Sequence, residues 1–221
     1  MIADTIVYMD INWGYVAIVL VLSVGSIILH ELAHGVVAYW LGDQTAKLSG
    51  RLTLNPIKHI DPFMSILLPV LLAMAGMPIF GGAKPVPINT RNLRGGVWGF
   101  ALVALAGPLT NLLLAFIFFL FGHFTGAFYF DGFGGMFCYV GMMLNVGFCL
   151  FNLIPIPPLD GSRVLYALAP DGARNFMESI EKYGIIIIYV LLLVGGTVFS
   201  KYMATGQSAI LNAFYWIVGV R

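Results

Sequence analysis

The chain reads as an all-α polytopic membrane protein with five to six transmembrane segments, a small β-strand or hairpin at the cytoplasmic surface and one segment expected to be re-entrant. Three observations carry that expectation. Its 221 residues are 60% hydrophobic and only 10% charged, with a mean hydropathy of +0.93, where a soluble domain is about 25% charged. Apolar runs of spanning length recur at about 13–41, 62–80, 97–122, 134–158 and 184–200, with a shorter one at 208–220. The polar connections at about 42–61, 81–96 and 159–183 are each too short to own a core, so residues 1–221 are expected to form a single integral membrane domain.

Charge excludes some partners. The formal net charge is +1 and no basic run is present, so neither nucleic acid nor an anionic surface is implied. The N-terminus carries Asp4 and Asp10 but no Lys or Arg, which argues against a cleavable signal peptide. Cys138 and Cys149 fall in one expected helix, about 16 Å apart along its axis, too far for a disulfide.

Taken in order, the 13–41 segment holds the pentapeptide His30-Glu31-Leu32-Ala33-His34. Histidines four apart project from one helical face and can share a divalent metal, with Glu31 near enough to handle a proton. This is the H-E-x-x-H arrangement of zinc hydrolases. Each ionisable group in a bilayer costs roughly 2.5–3.5 kcal/mol on insertion scales, so such a cluster reads as a functional site. Thr45–Leu54 alternates polar and apolar residues apart from Gly50, the period of a strand or hairpin. Its edge could pair with an extended substrate by strand addition, or the strand could only tie the loop down. The 62–80 segment contains Pro69, Gly76 and Pro78 and is flanked by basic loops at both ends. A re-entrant or broken hairpin fits it, with an ordinary kinked span as the alternative.

The 97–122 helix carries Asn111, expected to make an interhelical hydrogen bond or to support the site. The 134–158 helix runs into Asn152-Leu-Ile-Pro-Ile-Pro-Pro-Leu159-Asp160-Gly161. Segments 184–200 and 208–220 carry no candidate catalytic residue, and the second is short for a straight span. Lys47, Arg51, Lys58, Lys84, Arg91, Arg94, Arg163, Arg174 and Lys182 place the intervening loops on the cytoplasmic side.

Two histidines make an incomplete catalytic zinc site, which usually takes three protein ligands. Asp160 is the best third candidate. The first helix and the 134–158 helix both descend to the cytoplasmic side, so the three groups reach a similar depth, about 15 Å below an aromatic belt marked by Tyr39 and Trp40. Zn²⁺ with the Asp160 carboxylate leaves one positive charge, which ionised Glu31 can offset.

Together with Ala106-Gly107-Pro108-Leu109-Thr110-Asn111 and the run from Gly50 to Pro62 with Gly82 to Pro87 beyond it, these motifs resemble the site-2 protease family of intramembrane zinc metalloproteases, in its compact prokaryotic subgroup. The resemblance covers about 13–165. It implies that His30, His34 and Asp160 ligate zinc, that Glu31 is the catalytic acid/base, and that Asn152 steadies the substrate or the oxyanion. It also implies a single-span membrane protein or signal-peptide remnant as substrate, in a cell membrane, with the site toward the cytoplasm. Many relatives carry a PDZ domain, for which this chain has no room. His59 is either a substrate contact or supporting group, or an interfacial structural histidine. A zinc transporter and an idle membrane scaffold are the other readings. The first would need ligands along a path to both surfaces, and the second would have no use for Glu31.

Overall fold

The computed structural model describes residues 13–61, 67, 84–129 and 132–219. Its α-helices are α1 (Trp13–Trp40), α2 (Thr45–Leu48), α3 (Gly96–Phe124), α4 (Phe133–Asn152), α5 (Asp160–Leu168), α6 (Asp171–Glu181), α7 (Gly184–Val194) and α8 (Gly196–Ile217). Single 3₁₀ turns lie at Pro56–His59, Thr90–Asn92 and Ala127–Tyr129.

Among the described residues α1, α3 and α4 are long and apolar enough to cross a membrane, and the α7–α8 pair, bent by 90°, makes a fourth span if counted as one. Among the described residues, three or four spans therefore replace the expected five to six. Residues 184–200 and 208–220 are not two segments. The first apolar run breaks at Gly195 and Gly196, and helix then resumes through Ile217. At 11 residues, α7 is roughly 16 Å long, about half the hydrocarbon thickness. The segment at 62–80 expected to be re-entrant lies outside the described residues, apart from residue 67.

Helix α3 is the centre of the bundle and packs on α1, α4 and α5. Ala115 and Phe119 of α3, Met142, Val146 and Leu150 of α4 and Phe214 of α8 form the largest buried cluster, and Ile18, Leu22 and Val140 join α1 to α4. Small residues set the spacing, as expected where lipid removes the usual hydrophobic drive. A Cβ at Gly141 would come within 2.7 Å of the Phe118 ring. Leu20, Val21, Leu109, Leu113 and Ile117 remain exposed, which suits a lipid-facing surface.

No strand occurs among the described residues, so the expected strand over Thr45–Leu54 is a second correction, and strand addition loses its edge there. The reason is local. The Asp43 carboxylate accepts hydrogen bonds from the Thr45 amide (3.1 Å) and hydroxyl (2.5 Å), satisfying donors that open a helical turn. Ser49 N–H donates to Thr45 O and Arg51 N–H to Ala46 O. Gly50, with φ +64, takes the left-handed conformation that ends such a turn. The alternation also fails as a burial pattern, because Leu48 and Leu54 are exposed while Arg51 is buried.

Candidate metal centre

Helix α1 projects His30 and His34 from one face, their ring nitrogens Nε2 3.0 Å apart. Asp160 arrives from the other side of the bundle. After Asn152 the three prolines at 155, 157 and 158 forbid regular helix, and the chain folds back so that a Cβ at Gly161 would collide with the Leu153 carbonyl. That turn puts Asp160 at the first position of α5, with Oδ2 3.2 Å from His30 Nε2 and 3.4 Å from His34 Nε2. The three ligand atoms lie within 4.8 Å of one another.

The far side of each ring is tied down. His34 Nδ1 donates to the Val103 carbonyl at 2.7 Å, and His30 Nδ1 to Asn111 Oδ1 at 2.6 Å. Both partners only accept, so both Nδ1 atoms carry the proton and both Nε2 atoms present lone pairs to the centre. A buried carboxylate oxygen, Asp160 Oδ2, which has no hydrogen-bond partner, faces those lone pairs. Three ligand atoms converging this closely fit a cation, and two neutral imidazoles plus one carboxylate are a zinc donor set with one position left open.

Helix α3 shapes the opposite wall. Val103, Gly107 and Asn111 recur at four-residue spacing and so share a face. A Cβ at Gly107 would stand 2.5 Å from His34 Nε2 and 2.6 Å from His30 Nε2, which only glycine avoids. Pro108 within α3 leaves the Ala104 carbonyl without its intrahelical donor, and Ala104 lines the same cavity.

That cavity, about 350 Å³, is also lined by Glu31, Val86, Phe100, Asn152 and Arg163. Glu31 Oε2 accepts the Val86 N–H at 2.8 Å, which leaves its second carboxylate oxygen for the cavity. Asn152 donates one amide hydrogen to the Phe148 carbonyl at 3.0 Å and retains a second. His59 is not among the cavity-lining residues. Its Nε2 donates to the Thr53 carbonyl at 2.8 Å, and its own carbonyl accepts from Lys84 N–H at 2.8 Å, so it holds the loop together. Asn111 bonds to both α1 and α4. The contributions of Val86, Val103 and Gly107 escaped the sequence reading. The Val103–Gly107–Asn111 spacing was the available signal for two of them, whereas nothing in the sequence marked a backbone N–H at Val86.

A model of peptidase family M50 matches residues 130–195, the stretch with Asn152 and Asp160. Proteins named "Putative zinc metalloprotease" align with much more of the chain. YwhC of Bacillus subtilis is 43% identical over 209 residues, covering 90% of both chains. Rip2 of Mycolicibacterium smegmatis is 33% identical over 187 residues, covering 81% of this chain and 69% of Rip2. MJ0611 of Methanocaldococcus jannaschii is 41% identical over 66 residues, covering 28% of this chain and 31% of its own. No solved structure matches. A likeness to YwhC that runs nearly end to end, on a bundle of apolar helices, identifies the chain as a member of peptidase family M50, the site-2 proteases, and as a multi-pass zinc metalloprotease.

Proposed function

We propose that this protease cuts its substrates within or near their transmembrane segments, using His30, His34 and Asp160 as zinc ligands and Glu31 as acid and base. The observation that carries the reading is the convergence of Asp160 on the two histidines partway along a membrane helix. His30 lies ten residues before the end of α1 at Trp40, roughly 15 Å along the axis, so a peptide bond presented there is inside the bilayer.

Zinc, when bound, acidifies attacking water and polarises the scissile carbonyl. The chain supplies the rest. Val86 N–H holds one oxygen of Glu31, so the other faces the cavity in a fixed direction, ready to take a proton from water and deliver it to the leaving amine. Asn152, with one amide hydrogen uncommitted, can donate to the oxyanion as it forms. Phe100, Val103 and Leu159 form an apolar part of the cavity wall, which lowers the local dielectric and strengthens both interactions.

A cytoplasmic position for the open end is supported by the clustering of basic loops. Arg51 donates to the Lys84 and Pro85 carbonyls at 2.9 and 3.1 Å, and Arg94 N–H to Leu41 O at 2.8 Å. Two connections rich in Lys and Arg therefore gather at the end of α1 beyond the candidate metal centre. Trimming of single-span regulators or clearance of signal-peptide remnants are the tasks such a site would perform.

The test is zinc content of detergent-purified wild type, Glu31→Gln and Asp160→Ala, beside cleavage of a single-span reporter. About one zinc per chain is expected in wild type, retained in Glu31→Gln with cleavage abolished and weakened in Asp160→Ala. Undiminished reporter cleavage by Glu31→Gln would overturn the assignment.

A further inference from the structure

A chain of hydrogen bonds crosses the bundle and ends on His30. Ser26 of α1, Asn111 of α3 and Asn145 of α4 are buried, the two asparagines completely. Polar side chains at such depth persist only when paired, and here each pairing constrains the next. Asn145 Nδ2 donates to the Gly141 carbonyl at 2.8 Å and to Ser26 Oγ at 2.9 Å. A backbone carbonyl can only accept, so the Asn145 amide has one orientation, with Oδ1 turned toward α3. There it accepts from Asn111 Nδ2 at 2.9 Å. Asn111 is thereby turned with Oδ1 toward His30 Nδ1, 2.6 Å away.

We propose that Asn145 is a positioning residue for the metal centre: acting through Asn111, it fixes which ring nitrogen of His30 carries the proton and which faces Asp160. It touches none of the three candidate ligands. The proposal rests on the reading of His30 as a zinc ligand.

The other histidine supplies the contrast. His34 is oriented directly by the Val103 backbone carbonyl, which cannot turn over. An asparagine amide can. Without Asn145, Asn111 is free to present its NH₂ to His30 Nδ1, moving the ring proton to Nε2 and removing the lone pair from the metal side. Groups behind a ligand typically change metal affinity by about 10–100-fold, and a relay one residue further out belongs at the lower end.

The test is zinc affinity by chelator competition on the full-length, detergent-purified chain, comparing wild type with Asn145→Leu, Asn111→Asp, the double variant and His30→Gln. Asn145→Leu is expected to bind zinc about 10-fold more weakly. Asn111→Asp sets a carboxylate oxygen against Asn145 Oδ1, where Asn111 Nδ2 had donated, and is expected to bind zinc more weakly than wild type. The double variant removes that clash while a carboxylate still accepts from His30 whichever way it turns, so it should bind more tightly than either single variant.

A double variant as weak as Asn145→Leu would reduce Asn145 to helix packing and overturn the proposal, as would unchanged affinity in Asn145→Leu. If that variant does not fold, ring ¹⁵N spectra of zinc-free wild type decide: the proton of His30 is expected on Nδ1, and its presence on Nε2 overturns the relay. His30→Gln binding zinc as tightly as wild type would instead remove the ligand reading, and the relay with it.

Discussion

At the scale of single residues, Gly107 separates catalytic fitness from folding. In mid-helix a glycine costs about 1 kcal/mol relative to alanine, so Gly107→Ala should favour helix α3. The added methyl, however, would occupy space 2.5–2.6 Å from the facing ring nitrogens of His30 and His34, closer than carbon and nitrogen can approach. Gly107→Ala is therefore expected to remain folded in detergent while binding zinc about 10-fold or more weakly and losing activity to match. Intact zinc affinity in the variant would mean that α3 can withdraw without cost. That His30, Glu31, His34 and Asp160 belong together as candidates was legible because residue type and spacing mark them, and the structure brings them to one cavity. Gly107 was not, since its role is an absence of side chain beside groups 73 and 77 positions away in the sequence. Val86 lay further out of reach, acting through a backbone N–H that any residue but proline possesses.

At the scale of elements, Asp43 decides between turn and strand. Fully buried, it binds the Thr45 amide and hydroxyl, the Asn89 N–H at 2.7 Å and Asn92 Nδ2 at 3.2 Å. It thus joins the turn after α1 to the segment that brings Val86 over Glu31. Burial pushes its carboxyl up, but the bonds from Thr45, Asn89 and Asn92 outweigh that and hold it below the ordinary carboxylate range. The folded state thus favours the ionised form. This stabilisation is fully present above the unfolded-chain value of about 3.9 and is lost as pH falls through the lower folded value. Asp43→Ala, which orphans several donors at once, should cost about 3 kcal/mol. Thermal scans at neutral pH and at pH 3 test both points, the variant's deficit being expected to shrink at the lower pH. The alternation over Thr45–Leu54 suggested a strand because period alone carries no knowledge of Asp43, two residues before Thr45, binding its amide and hydroxyl while Asn89 and Asn92 hold that carboxylate in place. Helices α1, α3 and α4 were legible to within a few residues at most ends, since long apolar runs in lipid admit little else. The 134–158 run overshot because Asn152 to Leu159 is apolar enough to extend the hydropathy signal yet too rich in proline to stay helical.

At the scale of the whole molecule, the candidate metal centre would double as a fastening once zinc is bound. His30 and His34 belong to α1, Asp160 opens α5 after the turn from α4, and α3 braces both rings through Val103 and Asn111. A bound cation would join these three groups, whose ligand atoms lie within 4.8 Å of one another, and so tie α1 to α5. Zinc at a thousandfold excess over its dissociation constant would stabilise the folded chain by about 4 kcal/mol, on the order of 10 °C in unfolding midpoint for a chain of this size. Stripping with a chelator should therefore lower the midpoint in detergent by that order, and added zinc should restore it. The effect should also be local. Hydrogen exchange is expected to rise at the end of α1 bearing the histidines and at the start of α5. The cluster joining Ala115, Phe119, Val146 and Phe214, built from α3, α4 and α8 without any ligand residue, should stay protected. An unchanged midpoint on stripping would show that helix packing alone holds the three groups together, leaving zinc with catalysis as its sole task.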